Sequence, residues 1–192
     1  MIFNVPAFLS NDTSVKEIKE YPKYLATGIL LDEDVLYLLI VGDFVNKNQN
    51  KISYLKLETI IFDLKDFECL IQFLKGRNLF ITPHIFTKFV HLLWEKLKDN
   101  KEDYESIMNT FYQISDNIKE EPLDKKKFLE EDNFKKMKWD FVNSSLILTS
   151  KNYQHSVILT CKNKTYSICD SCGCLVIYHQ HIRSAYLTNY FN

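Results

Sequence analysis

The chain has 192 residues, with 24 Lys plus Arg against 25 Asp plus Glu, and 46% of its residues are apolar. A chain of this length buries roughly 70% of the surface its unfolded form exposes, so neither disulfides nor a structural metal is needed to make a core. A formal net charge of −1 argues against a generally cationic nucleic-acid binder, and any RNA or DNA contact must be local.

Residues 1–25 are polar and mixed, and they read as an N-terminal extension to a single domain over 26–192. No Lys or Arg precedes the first apolar residues, and Asn4 and Pro6 interrupt them, so an export signal is not expected. The longest apolar run, Val35 to Val41, is far shorter than the ~20 residues that span a bilayer. Five cysteines, four of them between Cys161 and Cys174, suit a reduced, cytoplasmic protein better than a stapled secreted one.

Thr27-Gly28-Ile29-Leu30-Leu31 reads as a short buried strand ending in the acid Asp32. Val35, Leu36, Leu38, Leu39 and Ile40 then form an apolar segment too continuous for an exposed strand, closed by Gly42 and placed as a helix packed on a sheet. Phe67, Leu70, Ile71 and Leu74 fall at i, i+3, i+4 and i+7 with Gly76 just beyond, which predicts a second, amphipathic helix. Leu79 to Thr82 reads as a strand, and Thr82-Pro83 opens a third helix with a hydroxyl cap and proline at its first position. That helix carries Ile85, Phe89, Leu92 and Leu93 on one face and His84, Lys88, His91 and Glu95 on another.

Tyr104, Ile107, Met108, Phe111 and Ile114 continue the helical period in an antiparallel partner, after which Lys119 to Lys127 reads as a charged connector. From Ser144 the order is helix, strand (Val157 to Thr160), helix (about Lys164 to Cys172) stopped by Gly173, and strand (Leu175 to Tyr178). Strands alternating with helices predict an α/β fold, a three-layer sandwich around a mostly parallel sheet. Gly28 to Leu31 should lie at its centre, with Asp32 at the carboxyl end of the strand.

The strand and its acid, followed in order by "FITPHIFTKFVHLLW", "FVNSSLIL" and "VILTC", are similar to the PIN domain, a metal-dependent nuclease fold. The resemblance runs from about Ile29 to Arg183. It is closest to a bacterial PIN-like branch in which Thr-Pro-His opens the second motif helix and an Asn-His-Leu-Arg-like segment ends the domain. Here these read Thr82-Pro83-His84 and Gln180-His181-Ile182-Arg183. The resemblance implies four acids holding Mg²⁺ or Mn²⁺ at the carboxyl ends of parallel strands, where the ion organises a water for phosphodiester hydrolysis.

Asp32, in Asp32-Glu33-Asp34, matches the first of these acids. The place of the second holds Lys88, that of the third Asn143, and the fourth falls at Cys161 or Lys162. One acid of four describes a degenerate centre with no cofactor. In it the Lys88 ammonium is expected to stand near the metal position and pair with Asp32. His84 and His91 flank Lys88 on the same helix, so these three are the expected substrate or partner contacts.

Three functions follow from these residues. The first is a PIN-like protein that has lost metal catalysis and binds RNA or a protein partner, with homo-oligomerisation open. The second is an active or impaired Mg²⁺- or Mn²⁺-dependent ribonuclease, which needs Asp32 and at least two of Asp34, Asp43, Glu95, Asp140 and Asp170 to converge. The third is a small zinc module built from Cys161, Cys169, Cys172 and Cys174 with His179 and His181. Reading Gly173 as a helix stop instead makes Cys169, Cys172 and Cys174 packing thiols. The basic clusters Lys125 to Lys127 and Lys135, Lys136 and Lys138 are interleaved with Glu130, Glu131 and Asp132 and read as solvated faces. Tyr153 and Tyr186 are weak candidates for stacking on bases.

Overall fold

The computed structural model describes residues 24–57, 60–130, 140–152 and 156–187. Strand β1 (Ile29–Leu31) runs into helix α1 (Glu33–Lys47), a 3-10 segment (Gln49–Leu55), a short antiparallel ribbon of β2 (Lys56–Leu57) and β3 (Ile60–Ile61), and α2 (Leu64–Leu74). Next come β4 (Leu79–Ile81), α3 (Pro83–Leu97), α4 (Lys101–Ser115), β5 (Ile118–Glu120) and α5 (Lys125–Glu130). The chain continues through α6 (Phe141–Asn152), β6 (Val157–Thr160), α7 (Asn163–Ser171), β7 (Val176–Tyr178) and α8 (His179–Leu187).

The five longer strands pair in parallel in the order β5-β4-β1-β6-β7, so β1 is central as its sequence implies. Every residue of β1 and β6 is buried, which explains their unbroken apolar runs, whereas edge strand β5 exposes Lys119 and Glu120. The close approach of β1 and β4 requires a residue without a Cβ at Gly28. A Cβ there would stand 2.0 Å from the Phe80 ring.

The connections from β1 to β4 and from β4 to β5 step one way along the sheet, and those from β5 to β6 and β6 to β7 step the other way. Right-handed crossovers therefore put α1 to α4 on one face and α6 and α7 on the other, giving three layers. Accordingly α1 packs on α2, α3 and α4, while α6 packs on α7 and β6. Tyr37 of α1, fully buried, donates to the Tyr54 carbonyl at 2.9 Å and fixes the 3-10 segment across the end of this layer. No helix among the described residues is long and apolar enough to cross a membrane.

Most expected boundaries coincide with the observed ones. Thr82 caps α3 through Ile85 N and Pro83 is its first residue, and Gly76 and Gly173 follow α2 and α7 with φ of 73° and 74°. Gly42, however, does not close a helix. It lies inside α1, where an added Cβ would stand 2.4 Å from the Phe67 ring, so it is a packing contact between α1 and α2. Nearly all of α1 is buried, and a helix enclosed on every side has no polar face to show its period. The charged connector from Lys119 to Lys127 contains the end of β5 and the start of α5, and α8 follows directly on β7.

Candidate functional site

In a parallel sheet, a crevice forms at the carboxyl ends of two neighbouring strands whose connections leave in opposite directions. Here those strands are β1 and β6, and the residues that follow them are Asp32 and Cys161-Lys162. The Asp32 amide donates to the Leu159 carbonyl at 3.1 Å, carrying the sheet pairing to its last position. The Asp32 side chain then caps α1: Oδ1 accepts from Asp34 N at 3.1 Å and from Val35 N at 2.9 Å. Oδ2 accepts a short hydrogen bond from the Thr160 hydroxyl, which itself accepts from the Lys162 amide at 3.0 Å. Burial pushes the Asp32 carboxyl well above its ordinary pKa, and Asp34 and Glu33 push it the same way against these hydrogen bonds.

The cation beside this acid run comes from β6. Lys162 Nζ lies 2.8 Å from Glu33 Oε1 and 3.1 Å from Asp34 Oδ2. The Lys162 side chain is 26% exposed, against 7% and 0% for its two partners. Burial alone would lower the Lys162 pKa, but the carboxylates of Glu33 and Asp34 outweigh it and hold the ammonium above its usual value. The expected pairing of Lys88 with Asp32 is therefore not made. Lys88 is half-buried on α3, and the bonds of Asp32 go to Asp34, Val35 and Thr160. Lys162 follows directly on β6, whereas Lys88 is the sixth residue of α3, the helix that follows β4 on the other side of β1.

Asn143 lies in the first turn of α6, where its amide donates to Asp140 Oδ1 at 2.8 Å and its Nδ2 to Asp140 Oδ2 at 3.0 Å. Both oxygens of Asp140 are thus spent on the helix start. The Asn143 Oδ1 is buried without a hydrogen-bond partner. Two residues on, Ser145 Oγ lies 2.9 Å from Thr82 Oγ1 and ties α6 to the start of α3. Cys161 is buried between the acid clusters, and burial, followed by Asp32 and Asp34, pushes its thiol well up. His84 stacks on Phe128 and Phe141 with ring centroids 5.2 and 5.9 Å away, and burial lowers its pKa. His91 is exposed further along α3.

The other acids weighed as replacements are dispersed. Asp43 pairs with Lys47 at 2.6 Å near the far end of α1, and Glu95 and Asp170 are exposed on α3 and α7. Among the described residues, no group of three or more His, Cys, Asp or Glu side chains is arranged to hold a metal ion. The convergence needed for a rearranged nuclease centre is not made, nor is the tetrahedral set needed for zinc. Cys169 and Cys174 are buried, and burial raises both thiols, Cys174 to about 11. Cys172 is half-buried at the end of α7. Lys135, Lys136, Lys138 and Tyr153 lie outside the described residues.

A second polar cluster, unforeseen from the sequence, joins α2 to α8. Asp63 and Asp66 form a reciprocal capping box at the start of α2. Arg183 bridges them, with NH2 2.8 Å from Asp63 Oδ2 and NH1 2.5 Å from Asp66 Oδ2. His179 is wholly buried, its Nε2 3.2 Å from the Asp66 carbonyl and 3.6 Å from Cys69 Sγ. The local signal for this cluster was present, since Asp63-Leu-Lys-Asp66 stands just before an apolar period. Its cation, 117 or more positions later, had no local signal.

No protein-family model, no curated protein and no solved structure matches the chain. The functional reading therefore stands on the donor set itself. Mg²⁺ and Mn²⁺ need carboxylate oxygens that are free to turn toward the ion. Asp32 has both oxygens filled by N–H and O–H donors, and Glu33 and Asp34 share an ammonium. These residues do not fit a divalent cation as they stand.

Proposed function

We propose that this chain is a PIN-like protein with a degenerate nuclease centre, which works by binding RNA or a protein partner and not by metal-dependent cleavage. The sheet order supports the likeness. An acid ends the central strand of a five-stranded parallel sheet, and the helix pair α3 and α4 joins β4 and β5, the two strands on one side of it. The observation that carries the reading is the state of the acids at the switch point. Asp32 serves as a helix cap, and its two acidic neighbours share the one ammonium of Lys162. Hydrolysis through such a site would first require the chain to break its own ion pairs.

A contact surface for single-stranded RNA is favoured by the parallel stack of His84, Phe128 and Phe141, in which Phe141 is 56% exposed. A base stacked on an aromatic ring is worth about 1–3 kcal/mol. Replacing Phe141 with Ala should therefore weaken binding of a short single-stranded RNA by about 5- to 150-fold, read by fluorescence anisotropy. Cleavage is tested with wild type and Asp32→Ala on single-stranded RNA in Mn²⁺. Neither should cut, and cutting by wild type that vanishes in the variant would reject the binding-only reading.

A further inference from the structure

The run Cys169-Asp-Ser-Cys172-Gly-Cys174 closes α7 and leads into β7. Because α7 runs back from the end of β6 to the start of its parallel neighbour β7, this turn lies at the opposite end of the sheet from Asp32. Its hydrogen bonds are those of a Schellman cap. The Gly173 amide donates to the Asp170 carbonyl at 2.8 Å and the Cys174 amide to the Cys169 carbonyl at 3.1 Å, with Gly173 at φ 74°. The Cys172 amide also donates to the Cys169 carbonyl at 3.1 Å, so Cys169 and Cys172 are joined by a bond of the 3-10 kind. In such a turn residues i and i+3 stand one above the other, with Cβ atoms about 5–6 Å apart on a regular helix. A disulfide needs about 3.5–4.5 Å, within reach of a small tightening of the last turn. Cys169 is wholly buried and Cys172 half-buried, so an oxidant from solvent meets Cys172 first.

We propose that Cys169 and Cys172 form an oxidative modification site, at which a low-molecular-weight disulfide such as oxidised glutathione converts the two thiols to an intramolecular disulfide. The Cys172 thiolate attacks one sulfur of the small disulfide, forms a mixed disulfide and expels one thiolate, which takes up the proton that Cys172 lost. The Cys169 sulfur then attacks Cys172, expels the second small thiol and gives up its proton to it. Two protein thiols are oxidised to one disulfide, and one small disulfide is reduced to two thiols. Burial raises the Cys169 thiol, so the second step is the slow one and the mixed disulfide accumulates before it resolves. Cys174 is buried on the far side of Gly173 in sequence and is the competing partner. A loop this short adds little to the stability of the whole chain, and the effect of closing it is local, on the turn that hands α7 to edge strand β7. The inference is independent of the proposed function.

The reduced full chain is incubated with oxidised glutathione and followed by intact mass. After an acid quench, the remaining thiols are alkylated in denaturant and the peptides mapped. Wild type should gain one glutathione on Cys172 and then lose it to a disulfide between Cys169 and Cys172, which dithiothreitol reverses. Cys172→Ser should leave Cys169 and Cys174 unmodified, and Cys169→Ala should keep the glutathione on Cys172. Cys174→Ala should close the disulfide as wild type does. Cys69 and Cys161, both buried, should stay reduced throughout, which shows that the folded chain is what reacts. The wild-type map needs no substitution, so it decides the matter even where a variant fails to fold by circular dichroism. An unreactive Cys172, a glutathione that persists on it in wild type, or a disulfide that maps to Cys174 would overturn the proposal. So would modification of Cys69 and Cys161 at the same rate as Cys172.

Discussion

Burial and two acidic neighbours raise the Asp32 carboxyl while its cap and Thr160 contacts favour the charged form, and burial wins. An acid whose pKa is higher folded than unfolded holds more protons in the native state. Its contribution to stability is therefore present at low pH and lost as pH rises from the unfolded value near ~4. Asn caps helices about as well as Asp but carries no charge. Asp32→Asn should thus gain on wild type between pH 4 and 7, read as the difference in urea midpoints at three pH values. A constant or shrinking difference would mean that the carboxyl is ionised at no cost.

The same residue type behaves differently at the N-cap of α2. Asp63 is half-buried, and although burial opposes ionisation, its bonds to the Asp66 amide and to Arg183 hold its pKa down. Stability from Asp63 is therefore present above the unfolded value and lost as pH falls through the folded one. Depth of burial and the sign of the neighbouring charges, and not the residue type, decide the direction.

Among elements, the junction of α1 with α2 depends on a missing side chain. Gly42→Ala would gain helix propensity of up to ~1 kcal/mol. It would also drive a Cβ to 2.4 Å from the Phe67 ring, and overpacking of this kind costs about 1–3 kcal/mol. The variant should melt below wild type, and Phe67→Leu in the same chain should recover part of the loss. A melting temperature above wild type would show that α2 yields freely.

The docking of α8 on α2 rests on Arg183, whose partner Asp66 is 1% exposed. Removing one member of a fully buried pair costs about 3–5 kcal/mol. Arg183 keeps a quarter of its side chain in water, so Arg183→Ala should cost somewhat less, about 2–3 kcal/mol by urea unfolding. Lys47→Ala, which breaks an exposed pair with Asp43, should barely move the same curve. Equal effects of the two would remove the case for α8 as an anchored element.

For the whole molecule, two cations from the last third of the chain clamp acids that open helices in the first third, Lys162 on α1 and Arg183 on α2. With β1 and β6 wholly buried and β5 and β7 at the edges, local opening should start at the edges. Native-state hydrogen exchange should find the slowest amides in β1 and β6 and faster ones in β5 and β7. Slowest exchange in β7 would place the stable unit elsewhere.

Fold class was legible because parallel strands buried on both faces must be apolar throughout, and the helices between them carry caps and stops in their own residues. Thr82-Pro83 and Gly173 needed no tertiary information, and Asp32 was visible as the acid ending the central strand. Gly42 was not legible as a contact, since its role depends on Phe67 of another helix. Edge strand β5 was hidden because two of its three residues are charged and exposed. The cation of the site was beyond reach for the same kind of reason. Lys88 and Lys162 are chemically alike, and the strands before them, β4 and β6, both flank β1, so only the tertiary placement of the two side chains decides which ammonium meets the acids.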